Sequence, residues 1–243
     1  MLFRSAIDPS AFSHSSEMFD AITDNPTFRR YFINRYADLM NTIYRPDSLD
    51  RVRLSIQNVM TPDMPEHFNK WGGTMQDWTS NNIADMVDYY NRRLAVVRGQ
   101  VNTEFVLNGQ VTWTLAVSPA GAGRIQISTI IPQVYPWSGV YFNGNPVTIT
   151  AIPNPGYTFN HWNSNTLGND YNQTVTTNYT SNQTTTAFFS GSPRTPMVDI
   201  SEINYNAAST SDCGDWIELR NSDSAPIDLS DWKLRDEIGR AHV

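Results

Sequence analysis

Three side chains that could bind a metal lie close together near the start of a short helical stretch: Asp63, Glu66 and His67. Carboxylate oxygens and imidazole nitrogens are common ligands of divalent metals, so this spacing is a candidate metal site. Acidic residues at the start of a helix also stabilise the positive end of its dipole, and a histidine there packs locally. The second interpretation needs no further ligand, and the sequence therefore predicts no metal site.

A second group of candidates is aromatic and would bind sugars, because the apolar face of a pyranose ring stacks on an aromatic ring. Five such rings lie in the middle of the chain: Trp113, Trp137, Tyr141, Tyr157 and Trp162. Strict alternation places Trp113 on the apolar face of a strand, and Trp162 closes a hairpin, so both are expected in a core. Of the five, only Trp137 and Tyr141 are kept as candidate ligand-binding residues. No catalytic residue is predicted.

The charge balance excludes several classes of partner. The 243 residues carry 17 Lys and Arg against 24 Asp and Glu, a formal net charge of −7. An acidic chain without a basic stripe repels a phosphate backbone, so no nucleic-acid partner is expected. No stretch approaches the roughly 18 apolar residues of a membrane-spanning helix, so no membrane span is predicted. Cys213 is the single cysteine, which leaves no intrachain disulfide.

The first compositional region, residues 6–102, is charged and has the pattern of helices. Asn25 and Pro26 form a good helix start, because Asn caps the first turn and Pro is tolerated in it. Apolar residues then recur at three- and four-residue steps, as on one face of a helix. Pro46 is predicted to end this helix and Asp47 to cap the next one. Short loops between such helices favour a compact helical subdomain.

The second region, residues 103–190, changes character abruptly. Its only charged side chains are Glu104, Arg124 and Asp170, whereas Thr, Asn, Val and aromatic residues are frequent. The segment VTWTLAV alternates apolar and polar residues, and turn sequences separate it from similar segments. The region is predicted to be an all-β module in which one face is solvent-exposed and consists of uncharged polar side chains.

The third region, residues 197–236, follows the linker 191–196 and contains three strand-like segments, VDISEINYN, DWIELRN and PIDLSDWKLRD. A sandwich of the immunoglobulin type needs about 100 residues, so this region is too short to close a core. It is predicted to be a truncated sandwich with unpaired strand edges, disordered or prone to aggregate.

The two ends of the chain have the pattern of a sequencing adapter. The last seven residues, EIGRAHV, can be back-translated into codons that contain AGATCGGAAGAGCACACGTC. Leu2–Ser5 can be written as the reverse complement of the core of that adapter. Complementary orientations at both ends are hard to obtain by chance, so residues 1–5 and 237–243 are predicted to be adapter-derived. Both natural termini are then expected to lie outside this sequence.

The helical region resembles a known family. NPTFRRYFINRYADLMNT and MPEHFNKWGG, followed by the paired Arg92 and Arg93, resemble the C-terminal part of the spore-coat-H (CotH) kinase family. The resemblance runs from about Asn25 to Val97. It implies a parent protein that transfers phosphate from ATP, with a divalent metal, to secreted or surface proteins.

The same resemblance implies that the nucleotide- and metal-binding residues lie upstream of the matching part. Phosphoryl transfer needs a cation that contacts the phosphates and carboxylates that hold the metal. The chain has only two lysines, Lys70 and Lys233, and no glycine-rich phosphate loop. No catalytic or cofactor-binding residue is therefore expected in this chain, whereas ATP and a divalent metal are implied for the parent.

Two further sets of segments resemble bacterial surface modules. PVTITAIPNPGYTFNHW resembles a bacterial extracellular repeat of the divergent internalin type, which implies a location more than an activity. ISEINYN, DWIELRN and IDLSDWKL are similar to the start of the lamin-tail domain, an immunoglobulin-like sandwich. The first of these resemblances implies a cell-surface location.

Together these predictions describe a multidomain α plus β protein: the helical C-terminal part of a kinase-like domain, an all-β module and a truncated immunoglobulin-like sandwich. The predicted function is that of a non-catalytic C-terminal fragment of an exported bacterial CotH-type protein kinase, whose β modules position the parent enzyme. Its expected partners are a protein substrate or a surface polysaccharide, and its expected location is extracellular or at the cell surface, the spore coat included. A non-enzymatic adhesion or carbohydrate-binding protein and a structural spacer remain the alternatives.

Overall fold

The computed structural model describes residues 13–205, 215–223, 226–227, 229 and 232–234, with the backbone alone for residues 13–16. The segments predicted to be adapter-derived, 1–5 and 237–243, lie outside the described residues. Helices occupy the N-terminal part and β-sheets the remainder, so the predicted α plus β class is confirmed. No helix in the described part of the chain is long and apolar enough to cross a membrane.

The helical part consists of helices joined by short turns. Residues 105–109 connect the last and longest of them to the first strand. The bounds are α1 Ser13–Thr23, α2 Pro26–Asn41, α3 Pro46–Met60, α4 Met64–Trp71, α5 Met75–Asp77, a π-helical segment Trp78–Ile83, and α6 Ala84–Glu104.

Helix α2 begins where the sequence predicts. The Asn25 side chain accepts hydrogen bonds from the backbone N–H groups of Thr27 (3.0 Å) and Phe28 (3.1 Å), and Pro26 is the first helical residue. These bonds satisfy amide groups that have no partner inside the helix. The start of α2 is therefore well defined, and so is the face that it buries.

Helix α3 begins with the proline that was predicted to end the preceding helix. Arg45 is the N-cap and Pro46 the first residue, because proline lacks the N–H group that would be unsatisfied there. Asp47 lies inside the first turn, where it accepts a 2.9 Å hydrogen bond from Arg45 Nε. The prediction of Asp47 as the cap was therefore wrong.

The outer helix α3 does not take part in a closed helical core. It has no buried residue, and its apolar Val52, Ile56 and Val59 are 58%, 55% and 74% exposed. Its inner side is polar instead, since Asp50 Oδ1 accepts a 2.7 Å hydrogen bond from Tyr90 Oη of α6. The expected compact helical subdomain is therefore not formed around α3.

The remainder of the described chain forms three sheets. Their strand orders are β3-β1-β8-β5-β6, β2-β4-β7 and β10-β9, and the pairing is antiparallel except between β1 and β8. The bounds are β1 Gln110–Ser118, β2 Gly123–Ile127, β3 Trp137–Phe142, β4 Val147–Pro153, β5 Tyr157–Ser164, β6 Gly168–Asp170, β7 Thr174–Thr177, β8 Gln183–Gly191, β9 Val198–Asn204 and β10 Trp216–Asn221.

The five- and three-stranded sheets share one core, as in a β-sandwich. Trp113 and Leu115 of β1 and Ile149 and Ala151 of β4 are all buried. Alternate residues of both strands point into this core, as the period-two pattern predicts. Trp162 of β5 is buried as well, so its predicted core position is confirmed.

Helices α2 and α6 belong to the same core as the sandwich. Ile33, Ala37 and Met40 of α2 and Val97 and Val101 near the end of α6 are buried in one cluster with the strand residues. Burial of apolar surface is the dominant favourable contribution to folding, at about 25 cal/mol per Å². The two helices and the β module are therefore held together by a continuous apolar interface.

The two-stranded sheet of the third region has no core beneath it. The strands pair from Trp216 opposite Asn204 to Asn221 opposite Val198. No described residue from 197 to 234 is buried. Among the described residues of this region, the structure therefore shows no closed core, and the truncated sandwich stays a prediction.

Candidate functional site

A row of polar side chains on α2 forms a joint between the helices and the β module. Asn34, Asp38 and Asn41 lie on one face of the helix, at steps of four and three residues, and all three are buried. We call these three residues the α2 polar stripe. Each of them binds a different part of the β module, so the stripe sets how the helix lies against the strands.

Asp38 is the most deeply buried member of the α2 polar stripe, with no exposed surface (0%). Its Oδ1 accepts a 2.7 Å hydrogen bond from Tyr141 Oη on β3. Its Oδ2 accepts two bonds from Thr129, from the backbone N at 3.0 Å and from Oγ1 at 2.7 Å. A buried carboxylate is costly unless donors surround it, and these three donors offset that cost.

The two asparagines of the stripe bind chain segments at the edge of the sandwich. Asn41 Nδ2 donates to Val140 O and Asn41 Oδ1 accepts from Val140 N, both at 2.9 Å. Asn34 Nδ2 donates to Pro146 O at 2.8 Å, and its Oδ1 accepts from Asn145 Nδ2 at 2.7 Å. Because β3 is an edge strand, the amide of Asn41 satisfies backbone groups that would otherwise be open to a foreign strand.

Two hydrogen-bond donors of the joint, on β3 and on α6, have shifted pKa values. Burial raises the pKa of the Tyr141 hydroxyl well above its ordinary value, and the neighbouring charge of Asp38 raises it further. Tyr141 therefore remains a donor at neutral pH. From α6, Arg98 Nη2 donates a 2.8 Å hydrogen bond to Asn41 Oδ1, and burial lowers the pKa of this guanidinium. Both helices thus contribute to one polar network.

The residues predicted to bind a ligand both lie on β3, on the side that faces the core. Tyr141 is 1% exposed and packs edge-on against Trp113, with ring centroids 6.2 Å apart. Trp137 is half-buried opposite Leu115, and its ring lies over the backbone of Gly139. The structure gives Tyr141 a role in the joint, and the ligand-binding role of the two residues stays a prediction.

The residues considered as metal ligands lie away from the joint, at the start of α4. Asp63 is the N-cap residue and Glu66 lies in the first turn. The His67 ring packs edge-on against the Phe68 ring, with ring centroids 5.4 Å apart. Across the part of the chain that the structure describes, no group of three or more His, Cys, Asp or Glu side chains is arranged to hold a metal ion.

A cleft of about 460 Å³ opens beside the joint, between the start of α2 and the connection that leads to β1. Arg29 and Arg30 line it, and Arg29 both donates a hydrogen bond to Phe105 O and lies over the Phe105 ring. Val106 at the rim has a φ of 52°, which β-branched residues rarely adopt. These contacts tie the first turn of α2 to the end of α6.

The α2 polar stripe was not identified from the sequence, although a signal for it exists. Its members repeat with the helical period and alternate with Ile33 and Ala37, which are buried on the adjoining side of the helix. Asn and Asp are mostly exposed in proteins, so such a repeat alone predicts a solvated face. The partners that bury it lie far along the chain, where local patterns do not reach.

Two family models match the chain. Residues 113–193 match the family described as Divergent InlB B-repeat domain, and residues 192–243 match the family described as Lamin Tail Domain. No CotH kinase family matches any part of the chain. No curated protein and no solved structure matches it. The predicted resemblances of the β module and of the third region are thereby confirmed.

The joint extends across the N-terminal boundary of the match to the divergent repeat. The match to the divergent repeat begins inside β1 and ends after β8, so Thr129 and Tyr141 lie within it. Asp38 lies outside it, in the helical part that neither family model covers. A module similar to a bacterial repeat is therefore attached, through buried hydrogen bonds, to helices of a different kind.

Proposed function

We propose that the chain is a non-catalytic part of an exported CotH-type protein kinase, C-terminal to the catalytic residues, in which the β module positions the parent enzyme. The module would hold the enzyme at a cell surface or close to its protein substrate. The similarity of the module to a repeat named after a bacterial protein supports an extracellular or cell-surface location. The resemblance of Asn25–Val97 to the kinase family supports the identity of the helical part.

One observation carries the positioning role: the buried network between the α2 polar stripe and the β module. A module positions an enzyme only if it is coupled to it in a fixed orientation. A buried polar network favours a single geometry, because any other arrangement leaves more donors or acceptors unpaired. Here Asp38 and Asn41 bind the loop and strand that flank one edge of the sandwich. These bonds would hold the helices and the module in one relative orientation.

Catalysis would belong to residues of the parent that precede this part of the chain. Phosphoryl transfer requires a cation against the phosphates and carboxylates for the metal. Lys70 of α4 lies over the ring of its neighbour Trp71, with 5.1 Å from Nζ to the ring centroid, at the end of a short outer helix. ATP and a divalent metal are accordingly proposed as cofactors of the parent protein, and no residue of this chain is assigned to either.

The proposal is tested by measuring nucleotide binding and by re-sequencing the gene. Calorimetric titration of this 243-residue chain with ATP and Mg²⁺ should give no binding, and radiolabelled ATP should give no phosphoprotein. Re-sequencing of the source locus should extend the reading frame upstream into lysine and carboxylate residues that can hold ATP and metal. Nucleotide binding by this chain, or a start codon directly before Leu2, would overturn the proposal.

A non-enzymatic adhesion protein is the second candidate, and the surface of the β module favours it. The outward side chains of the strands are mainly Thr, Ser and Asn, and they bond to one another across strands. Thr148 pairs with Thr176 at 2.8 Å, and Thr150 pairs with Thr174 at 2.9 Å. Such a surface suits a neutral ligand. An upstream reading frame without a kinase core would leave adhesion as the better account.

A further inference from the structure

A β-bulge turns one aromatic residue of β5 away from the core. The pairing of β5 with β8 shifts register between Phe159 and His161, so that Phe159 lies opposite Phe189 and His161 opposite Phe188. A bulge places an extra residue in one strand and re-aims the side chains beside it. Phe159 and Phe189 pack together toward the core, with ring centroids 5.9 Å apart. His161 points to the opposite face.

On that outer face, three aromatic rings form a row. The His161 ring is stacked on the Phe188 ring, with centroids 4.8 Å apart and planes inclined by 5°. The Tyr171 ring also contacts the His161 ring, with centroids 5.7 Å apart and planes inclined by 43°. None of the three belongs to the core cluster of the described residues. We call His161, Phe188 and Tyr171 the aromatic row.

Tyr171 provides the open surface of the aromatic row. Its side chain is 69% exposed, whereas His161 and Phe188 are half-buried and cover one face of each other's rings. Tyr171 therefore contacts the stacked pair through His161 and is otherwise largely open to solvent. A large, rigid ring that stays exposed without packing into a core is available for stacking with a ligand.

The β5 and β8 side chains next to the aromatic row on the same face are uncharged and can form hydrogen bonds. Asn163 and Thr186 lie opposite each other on β5 and β8, and Asn163 Nδ2 donates to Asn169 Oδ1 at 2.7 Å. Asp170 is the one carboxylate nearby, and it already accepts 2.9 Å bonds from the backbone and side-chain nitrogens of Asn172. The face therefore combines an exposed ring with uncharged donors and acceptors.

We propose that the aromatic row binds a neutral polysaccharide. The C–H face of a pyranose ring would stack on Tyr171, and the sugar hydroxyls would bond to amide and hydroxyl side chains such as Asn163 and Thr186. An acidic polysaccharide would meet a chain of net charge −7, with neither lysine nor arginine in the row to offset the repulsion. The inference deepens the proposed positioning function, on which it rests, by naming the surface ligand.

The chemistry of the row distinguishes this ligand from a protein partner. A stable protein interface buries a central apolar patch surrounded by a polar rim. Here only three rings, on β8, on β5 and directly after the edge strand β6, stand among Thr and Asn side chains. Hydroxyl-rich ligands with apolar ring faces match this mixture better than an apolar peptide surface does.

The test is affinity electrophoresis of the full chain in native gels. Gels would contain mixed-linkage β-glucan, xyloglucan, galactomannan or starch as neutral probes, and alginate or polygalacturonate as acidic probes. We expect at least one neutral polysaccharide to retard the chain and neither acidic one to do so. Tyr171→Ala should weaken that retardation by about tenfold, the effect of losing one aromatic contact. Tyr171→Phe, which keeps the ring, should bind like the unchanged chain.

A matched control separates this site from other exposed rings. Tyr31 of α2 is 55% exposed and lies far from the row in sequence and on a different element, so Tyr31→Ala should bind unchanged. Circular dichroism would establish that each variant is folded. Absence of binding to all four neutral probes, or undiminished binding by Tyr171→Ala, would overturn the inference. Loss of binding in Trp137→Ala but not in Tyr171→Ala would place the site on β3 instead and overturn it as well.

Failure of the kinase assignment is distinguishable from failure of this site. If the upstream reading frame has no kinase core but Tyr171→Ala still abolishes glycan retardation, the aromatic row stands and the protein is an adhesin. If the kinase core is present and no neutral glycan binds, the positioning function stands with another ligand and the aromatic-row inference falls.

Discussion

Tyr141 Oη donates a 2.7 Å hydrogen bond to Asp38 Oδ1 and thereby joins strand β3 to helix α2, across 103 residues of chain. The bond is buried on both sides, since Asp38 is 0% and Tyr141 1% exposed. Hydrogen bonds to charged groups contribute more than neutral ones, and a lost partner leaves the other group with its full desolvation cost. The orientation of the β module on the helices therefore depends strongly on this pair.

Removal of the Asp38 carboxylate should destabilise the whole unit. Asp38→Ala leaves the buried Tyr141 hydroxyl without its acceptor and also removes two hydrogen bonds from Thr129, which is exposed, so we expect the free energy of unfolding to fall by about 2–4 kcal/mol. Urea denaturation followed by tryptophan fluorescence would measure it. The control is Asp88→Ala, which removes an exposed helical carboxylate paired with Arg92 and should change stability by less than about 0.5 kcal/mol. Equal effects of the two substitutions would contradict the importance of the joint.

The raised pKa of Tyr141 predicts a stability change at alkaline pH. The unfolded state loses this proton near the ordinary value of 10.0, whereas the folded state holds it to higher pH. Stability is therefore complete below about pH 10 and is lost as the pH rises toward the folded-state pKa. Tyr141→Phe has no such proton, so its free energy of unfolding should fall less steeply above about pH 10, by up to ~1.4 kcal/mol per pH unit.

The measurement is urea denaturation at a series of pH values through the alkaline range. Tyr141→Phe should be less stable than the unchanged chain at neutral pH, because Asp38 loses a donor, and the difference should narrow as the pH rises. Tyr31→Phe, at an exposed position of α2, should leave the stability at neutral pH unchanged. A constant difference at all pH values would mean that Tyr141 does not titrate with folding.

Periodic patterns predicted the parts of the fold that depend on local sequence. The alternation of β1 and β4 identified the buried face of each strand, because successive strand side chains point to opposite sides. The cap and proline at Asn25 and Pro26 located the start of α2 for the same reason: their effect acts within one turn.

The same patterns failed where contacts with residues distant in sequence determine which face of an element is buried. Val52, Ile56 and Val59 have the spacing of a core face, but the polar contact between Asp50 and Tyr90 turns the other side of α3 inward. The α2 polar stripe and the bond between Asp38 and Tyr141 were not predicted, because no local pattern reveals a partner on another element. The aromatic row was likewise not predicted. A bulge changes which alternate residues of a strand face the core, and strand predictions assume a strict alternation.

Two glycines allow backbone strain to be separated from steric conflict. Gly156 and Gly121 both have positive φ, at 86° and 76°. A Cβ at Gly156 would lie 2.1 Å from Ser192 O, whereas a Cβ at Gly121 would meet no atom within 4 Å. Gly121→Ala should cost about 1–2 kcal/mol from conformation alone. Gly156→Ala should cost at least about 1 kcal/mol more, because it adds the conflict.

Thermal or urea unfolding of both variants would provide the comparison. The expected difference also reports on the end of the β module, because Ser192 N donates a 3.2 Å hydrogen bond to Gly156 O and Arg194 N bonds to Pro155 O at 3.1 Å. If the two alanine variants are equally stable, the segment after β8 moves away without cost and is not fixed to the β4–β5 turn.

A chain that ends at Pro196 should retain the stability of the full chain. No described residue from 197 to 234 is buried as a whole, although the ion pair between Arg194 and Asp223, at 2.8 Å, joins a guanidinium that is 44% exposed to a side chain that is 6% exposed. Because the half-exposed Arg194 is hydrated once Asp223 is removed, loss of the pair should cost at most about 1 kcal/mol. The free energy of unfolding should therefore change by less than that amount. As a control, a chain that ends before Gln183 loses β8, which lies between β1 and β5, and should not fold. A larger loss in the first truncation would mean that the third region packs against the sandwich, and its strands would then be part of the positioning unit.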